Sequence, residues 1–158
     1  MEATSAPSTP RPTSDRLAAP PLPTNPSQVQ QGAYAYWQYC LACHGDRGQG
    51  LTGDFLELYP VEDQYCWESG CHGRRPYTNG WTLPTSVPAV IGSDSLDRFD
   101  NAGELFGFVR NTMPYHAPGS LDEDVYWQIV AFLVEGQGVV LGDRTLGPEN
   151  APSIRLRP

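Results

Sequence analysis

An all-α fold with irregular loops and extended termini is predicted for this chain of 158 residues. Two observations carry it. A stretch ending in "SLDEDVYWQIVAFLVEG" has helical apolar spacing, a capping pattern and a terminating glycine, and two further stretches, "QVQQGAYAYWQYC" and residues 101–111, read as helices of the same kind. The proline-rich start and the aperiodic end lie outside these three segments.

Residues 1–27 hold seven prolines, many small polar residues and few apolar ones. Such a segment buries too little surface to offset its ordering entropy, so it reads as an extended arm, suited to tether a domain to an anchor. Met1-Glu2-Ala3 has neither the basic start nor the apolar region of a signal peptide. Residues 28–140 form the expected folded unit. Its first helix runs into Cys40-Leu41-Ala42-Cys43-His44, the C-x-x-C-H pattern of covalent haem attachment. Two thiols one helical turn apart reach the two vinyl groups of one haem, and the next residue offers its imidazole to the iron. Zinc and thiol-redox sites also use C-x-x-C.

A second pair follows in Cys66-Trp67-Glu68-Ser69-Gly70-Cys71-His72. Three readings stand open. A disulfide Cys66–Cys71 would close a turn at Ser69-Gly70, as an oxidising compartment allows. A second haem would use both thiols, with His72 as proximal ligand and His116 as the sixth ligand. A four-cysteine zinc site would join Cys40, Cys43, Cys66 and Cys71. Size favours the disulfide: residues 45–112 already have one haem to wrap, and His116 lies only three residues from Met113. Arg74, Arg75, Tyr77 and Trp81 follow in a Gly/Pro-rich loop and carry groups suited to haem propionates, although solvated surface side chains have the same composition.

The segment 101–111 reads as a helix capped by Asp100 or Asn101, with Leu105, Phe106 and Val109 inward. Met113-Pro114 follows its end. A thioether is a soft, neutral ligand suited to haem iron, and the other methionine, Met1, sits in the arm. In the last helix Ser120 and Glu123 form a capping box, the acidic first turn suits the helix dipole, Val125, Ile129, Phe132 and Leu133 form the apolar face, and Gly136 ends it. Residues 141–158 are expected to form an irregular tail on the surface or on a partner.

The formal charge is −8, and all ten basic residues are arginines. An acidic surface argues against nucleic acid or an anionic membrane as partner. No apolar run is long enough to span a bilayer.

Gly32 and Tyr36 before "CLACH", then "NTMP", then "IVAFL" occur in the order and spacing of a class I cytochrome c, which residues 30–135 resemble. The stretches "DRGQGLTGDF", "PTSVPAVIG" and "MPYHAPGSLDEDVYW" are similar to the monohaem subunit of alternative complex III of green filamentous bacteria. The resemblance implies one haem c held by Cys40 and Cys43, with His44 and Met113 as axial ligands. It implies single-electron transfer at an exposed haem edge, without substrate chemistry, between redox protein partners on the outer side of a bacterial inner membrane. It sets Gly32 and Tyr36 against Ile129 and Phe132, and it places the carbonyl that receives the His44 Nδ1–H within Leu56–Val61, with Pro60 as candidate. A haem enzyme or sensor would instead need an open coordination position, which a ligating Met113 would close.

Overall fold

The computed structural model describes residues 15–92 and 94–156. The first helix, α1 (Gln28–Tyr39), begins at a reciprocal capping box. Ser27 Oγ accepts from the Gln30 N–H at 3.2 Å, and the Gln30 side-chain oxygen accepts from the Ser27 N–H at 2.9 Å. One turn, α2 (Leu41–His44), continues the chain through the first cysteine pair, and a second, α3 (Gly53–Leu56), follows. The third long segment becomes α4 (Ala102–Thr112), capped by Asn101, whose side chain accepts from the Glu104 N–H at 3.1 Å. Last comes α5 (Glu123–Gly136). Among the described residues there is no strand, only an isolated bridge between Asn101 and Arg155. No described helix is long and apolar enough to cross a membrane.

The start of α5 differs from the expected capping box. Gly119, at φ +73°, turns the chain, and the helix begins only after Asp122, whose carbonyl accepts from the Val125 and Tyr126 N–H groups at 3.0 and 3.2 Å. Ser120 is exposed and makes no cap. Asp122, Glu123 and Asp124 still crowd the positive end of the helix dipole, as the sequence indicates.

Helices α1 and α5 cross at backbone contact. A Cβ on Gly32 would stand 1.9 Å from the Gln128 carbonyl oxygen and 2.9 Å from the Phe132 Cβ, so only glycine fits. Tyr36 packs on Phe132 with ring centroids 5.2 Å apart, and its hydroxyl donates to the Gly45 carbonyl at 2.8 Å. The crossing therefore fixes where α1 ends and the cysteine pair begins.

The tail is irregular but not a surface coil. Leu141, Leu146, Ala151, Ile154 and Leu156 are buried in the same cluster as Tyr126, Ile129 and Val130 of α5. Gln28 clamps the tail with both ends of its amide: it donates to the Leu146 carbonyl and accepts from the Leu146 N–H, at 2.8 and 2.7 Å. The Ala102 N–H donates to the Ile154 carbonyl at 2.9 Å. The buried face of α5 (Tyr126, Trp127, Ile129, Val130, Ala131, Leu133 and Val134) is therefore wider than its spacing suggests, while Val125 and Phe132, expected inward, are half-buried.

Part of the arm is also fixed. Arg16 pairs with Asp46 at 2.8 Å, and the Trp37 indole N–H donates to the Leu17 carbonyl at 2.9 Å. Residues 1–14 of the expected linker lie outside the described residues.

Candidate haem site

A cavity of about 860 Å³ opens between α1, α4, α5 and the loop 81–99, within the usual range for cofactor sites. Cys40, Cys43 and His44 line it together with Met113, which is distant from them in the chain. Leu96, Phe99, Leu105, Phe108, Val109, Ile129 and Leu133 supply an apolar wall.

His44 is buried, and its Nδ1 lies 3.1 Å from the Pro88 carbonyl oxygen. A carbonyl only accepts, so Nδ1 carries the proton and Nε2 keeps its lone pair for a metal. Burial holds the His44 pKa below its ordinary value, outweighing the hydrogen bond to Pro88, which acts the other way. The neutral ring is the ligating form.

The acceptor is thus Pro88, not Pro60 or its neighbours. The Pro60 carbonyl is taken by the Asp63 N–H at 2.8 Å, inside a short 3-10 turn. Pro88 is delivered by backbone contacts. The Val90 N–H donates to the Gly48 carbonyl at 2.7 Å, and the Gln137 amide donates to the Val90 carbonyl at 3.0 Å. Gly50 has φ +80°, and a Cβ there would lie 2.4 Å from the Val87 carbonyl oxygen. The "GQG" turn is therefore what lets residues 87–90 approach His44.

Met113 follows α4, with its N–H donating to the Val109 carbonyl at 2.8 Å. Its own carbonyl accepts from the hydroxyl of buried Tyr126 at 2.7 Å. These two bonds fix the backbone from which the thioether enters the cavity. Burial pushes the Cys40 thiol up to about 12, and burial together with neighbouring Cys66 raises Cys43. Both sulfurs thus keep their protons at neutral pH.

These residues fit a covalent haem: two thiols one turn apart, a neutral imidazole with one nitrogen committed, a thioether, and an apolar wall around one cavity. Of the residues considered for the propionates, Trp81 lines this cavity, whereas Arg74, Arg75 and Tyr77 are exposed and do not. No residue of 66–80 is among those lining the cavity, although Cys66 lies near Cys43 and His72 packs on Trp81. The lining arginine is Arg98, which sequence reasoning missed. Its guanidinium sits 4.0 Å from the Phe108 ring centroid and 4.6 Å from that of Phe99. The apolar neighbours in "SLDRFD" were the available signal.

The second cysteine pair departs from the expected disulfide: Cys66 and Cys71 are both free, half-buried and exposed respectively. The zinc reading also fails, since among the described residues no group of three or more His, Cys, Asp or Glu side chains converges on one point. His116 lines the cavity and His72 does not. Both imidazoles pack on the Trp81 indole, with centroids 4.3 and 5.5 Å away.

Thiosulfate dehydrogenase of Stutzerimonas stutzeri (strain A1501) is 24% identical over 116 residues, which cover 72% of this chain and 29% of that protein. The chain thus spans less than a third of this curated relative. The solved structure of the sulfane dehydrogenase SoxCD from Paracoccus pantotrophus aligns with a TM-score of 0.46 and 23% identity, over 82% of this chain and 53% of that one. Residues 27–133, about two thirds of the chain, match the family described as cytochrome c oxidase, cbb3-type, subunit III. The chain belongs to that family: it is an all-α cytochrome c domain, built for covalently bound haem c and for electron transfer.

Proposed function

We propose that the chain carries single electrons through a haem bound by Cys40 and Cys43, with His44 and Met113 as axial ligands. The observation that carries this reading is that these four side chains line one apolar cavity, with His44 Nδ1 committed to Pro88. When bound, the haem supplies an iron that takes up and releases one electron. The chain does the rest. Pro88 fixes the imidazole tautomer. Tyr126 and the end of α4 hold the backbone of Met113. Met113 would offer the haem iron a thioether, a soft donor that would favour the reduced state. The apolar wall excludes water, so the change of charge on the iron requires little solvent rearrangement.

The protein is a carrier or subunit of a larger oxidoreductase, acting on the outer side of a bacterial inner membrane. A respiratory or photosynthetic membrane complex of the alternative complex III kind fits the sequence resemblance. Covalent haem attachment supports the compartment, and the acidic, lysine-free composition supports a protein partner and not nucleic acid. The chain's holoprotein, acid-denatured and analysed by mass spectrometry, tests the attachment. A haem should stay bound to the peptide containing Cys40 and Cys43 and be lost from that peptide in Cys40→Ser/Cys43→Ser. A peptide of unmodified mass would refute it.

A further inference from the structure

Residues 57–84 are an anomaly in this fold. They contribute a single buried apolar side chain, Leu83, and none to the main core cluster. Val61 and Tyr65 are 82% and 67% exposed. The segment is nonetheless tied into a defined loop. The Trp67 indole donates to the Pro84 carbonyl at 2.7 Å, the Leu83 N–H to the His72 carbonyl at 2.9 Å, and the Gly70 N–H to the Arg75 carbonyl at 2.7 Å. A loop this long without a core of its own normally relies on a cross-link, a metal or a bound group. Neither a disulfide nor a metal cluster is present among its described residues.

The loop repeats two features of the first site, a histidine N–H bonded back to the first cysteine's carbonyl (across four residues there, six here) and a histidine Nδ1 bonded to a backbone carbonyl. In the first motif, the Cys40 carbonyl accepts from the His44 N–H at 2.8 Å, and in the second the Cys66 carbonyl accepts from the His72 N–H at 3.0 Å. His44 Nδ1 lies 3.1 Å from the Pro88 carbonyl oxygen, and His72 Nδ1 lies 3.0 Å from that of Trp81. In each case the carbonyl must accept, so Nδ1 carries the proton and Nε2 is left for a metal. A disulfide would have no use for an imidazole oriented in this way.

We propose that Cys66, Cys71 and His72 form a second covalent haem site, in which both thiols bind the vinyl groups and His72 Nε2 binds the iron. Each thiol S–H adds across one vinyl C=C. Sulfur bonds to the carbon nearer the ring and hydrogen goes to the outer carbon, so nothing leaves and no oxidant is consumed. Chain length is no obstacle, because the first cavity and the core are built almost without this loop. The His72 imidazole is held by two rings, the Trp81 indole at 4.3 Å between centroids and Tyr77, nearly perpendicular, at 5.6 Å. The same indole lines the first cavity, which makes the two sites neighbours through one side chain. His116, on that indole, is not assigned to the second iron.

The inference rests on the proposed haem-attaching compartment, and the test separates the two. The chain is produced with haem-attachment machinery, and its mass and pyridine haemochrome are measured per chain, with free thiols counted by alkylation. Two haems are expected, with no alkylatable thiol, falling to one in Cys66→Ser/Cys71→Ser while the peptide holding Cys40 and Cys43 keeps its haem. One haem with a Cys66–Cys71 disulfide, or one haem with both thiols alkylated, would overturn the second site and leave the first intact. Loss of haem from Cys40 and Cys43 alone would instead refute the first reading. Should the double variant fail to fold, the wild-type haem count and alkylation decide the matter without it.

Discussion

At Gly32 the fold depends on the absence of a side chain. A Cβ would fall 1.9 Å from the Gln128 carbonyl oxygen, so Gly32→Ala must push α1 away from α5. Overpacking of this kind costs about 1–3 kcal/mol, and the thermal midpoint of the holoprotein should fall accordingly. An unchanged midpoint would mean that the helices part without cost. The resemblance to class I cytochromes c implies that Gly32 meets the last helix near Phe132; the Gln128 carbonyl it touches is not among the implied partners. The Pro88 carbonyl was not legible. It reaches His44 across 44 residues, through backbone contacts at Gly48 and Gly50 that leave no residue-type signature at Pro88 itself. Arg98 was missed for a related reason: the side chain that lines the cavity comes from an irregular segment, where no periodicity marks the inward positions.

Among the elements, the C-terminal tail gives the sharpest prediction. Its composition suggests a detachable coil, yet Leu141, Leu146, Ile154 and Leu156 are buried in the core. Burying one such side chain contributes about 1.5–3 kcal/mol, against a total stability of roughly 5–15 kcal/mol for a small domain. Truncation after Val140 should therefore unfold or severely destabilise the domain, seen as lost cooperative melting, and not merely detach it from a partner. The tail escaped sequence reading because its apolar residues are spaced irregularly by turns, so neither helical nor strand spacing reveals them. The strap formed by Arg16 is weaker. Burial raises the Asp46 pKa, but the hydrogen bonds from Arg16 and Gln49 outweigh it and hold the carboxyl below its ordinary value. With the folded pKa depressed, this contribution is fully present above about pH 4 and is lost as pH falls through the folded value. Arg16→Ala should lower stability only slightly at neutral pH, raise the hydrogen exchange of the Leu17–Trp37 contact, and lose its effect in acid. Equal effects at both pH values would show that the strap acts by packing and not by charge.

The whole molecule carries a net charge of −8 with no lysine, so a basic docking ring is not available. Tyr115 is half-exposed beside Met113 and lines the cavity, as do His116 and Ser120. On the proposed function this weakly polar edge is where a redox partner would dock, without long-range electrostatic steering. Electron-transfer rates should then change little between low and physiological salt. A steep fall with ionic strength would indicate long-range steering. The account as a whole turns on whether Met113 closes the coordination of the haem at Cys40 and Cys43. A redox titration of the holoprotein followed by its visible and near-infrared spectrum, wild type against Met113→Ala, tests this most directly. The account predicts that the variant loses the weak long-wavelength band of His/Met ligation and that the corresponding potential shifts to lower values, because the soft ligand that favours ferrous iron is gone. A variant with the same band and the same potential would contradict it.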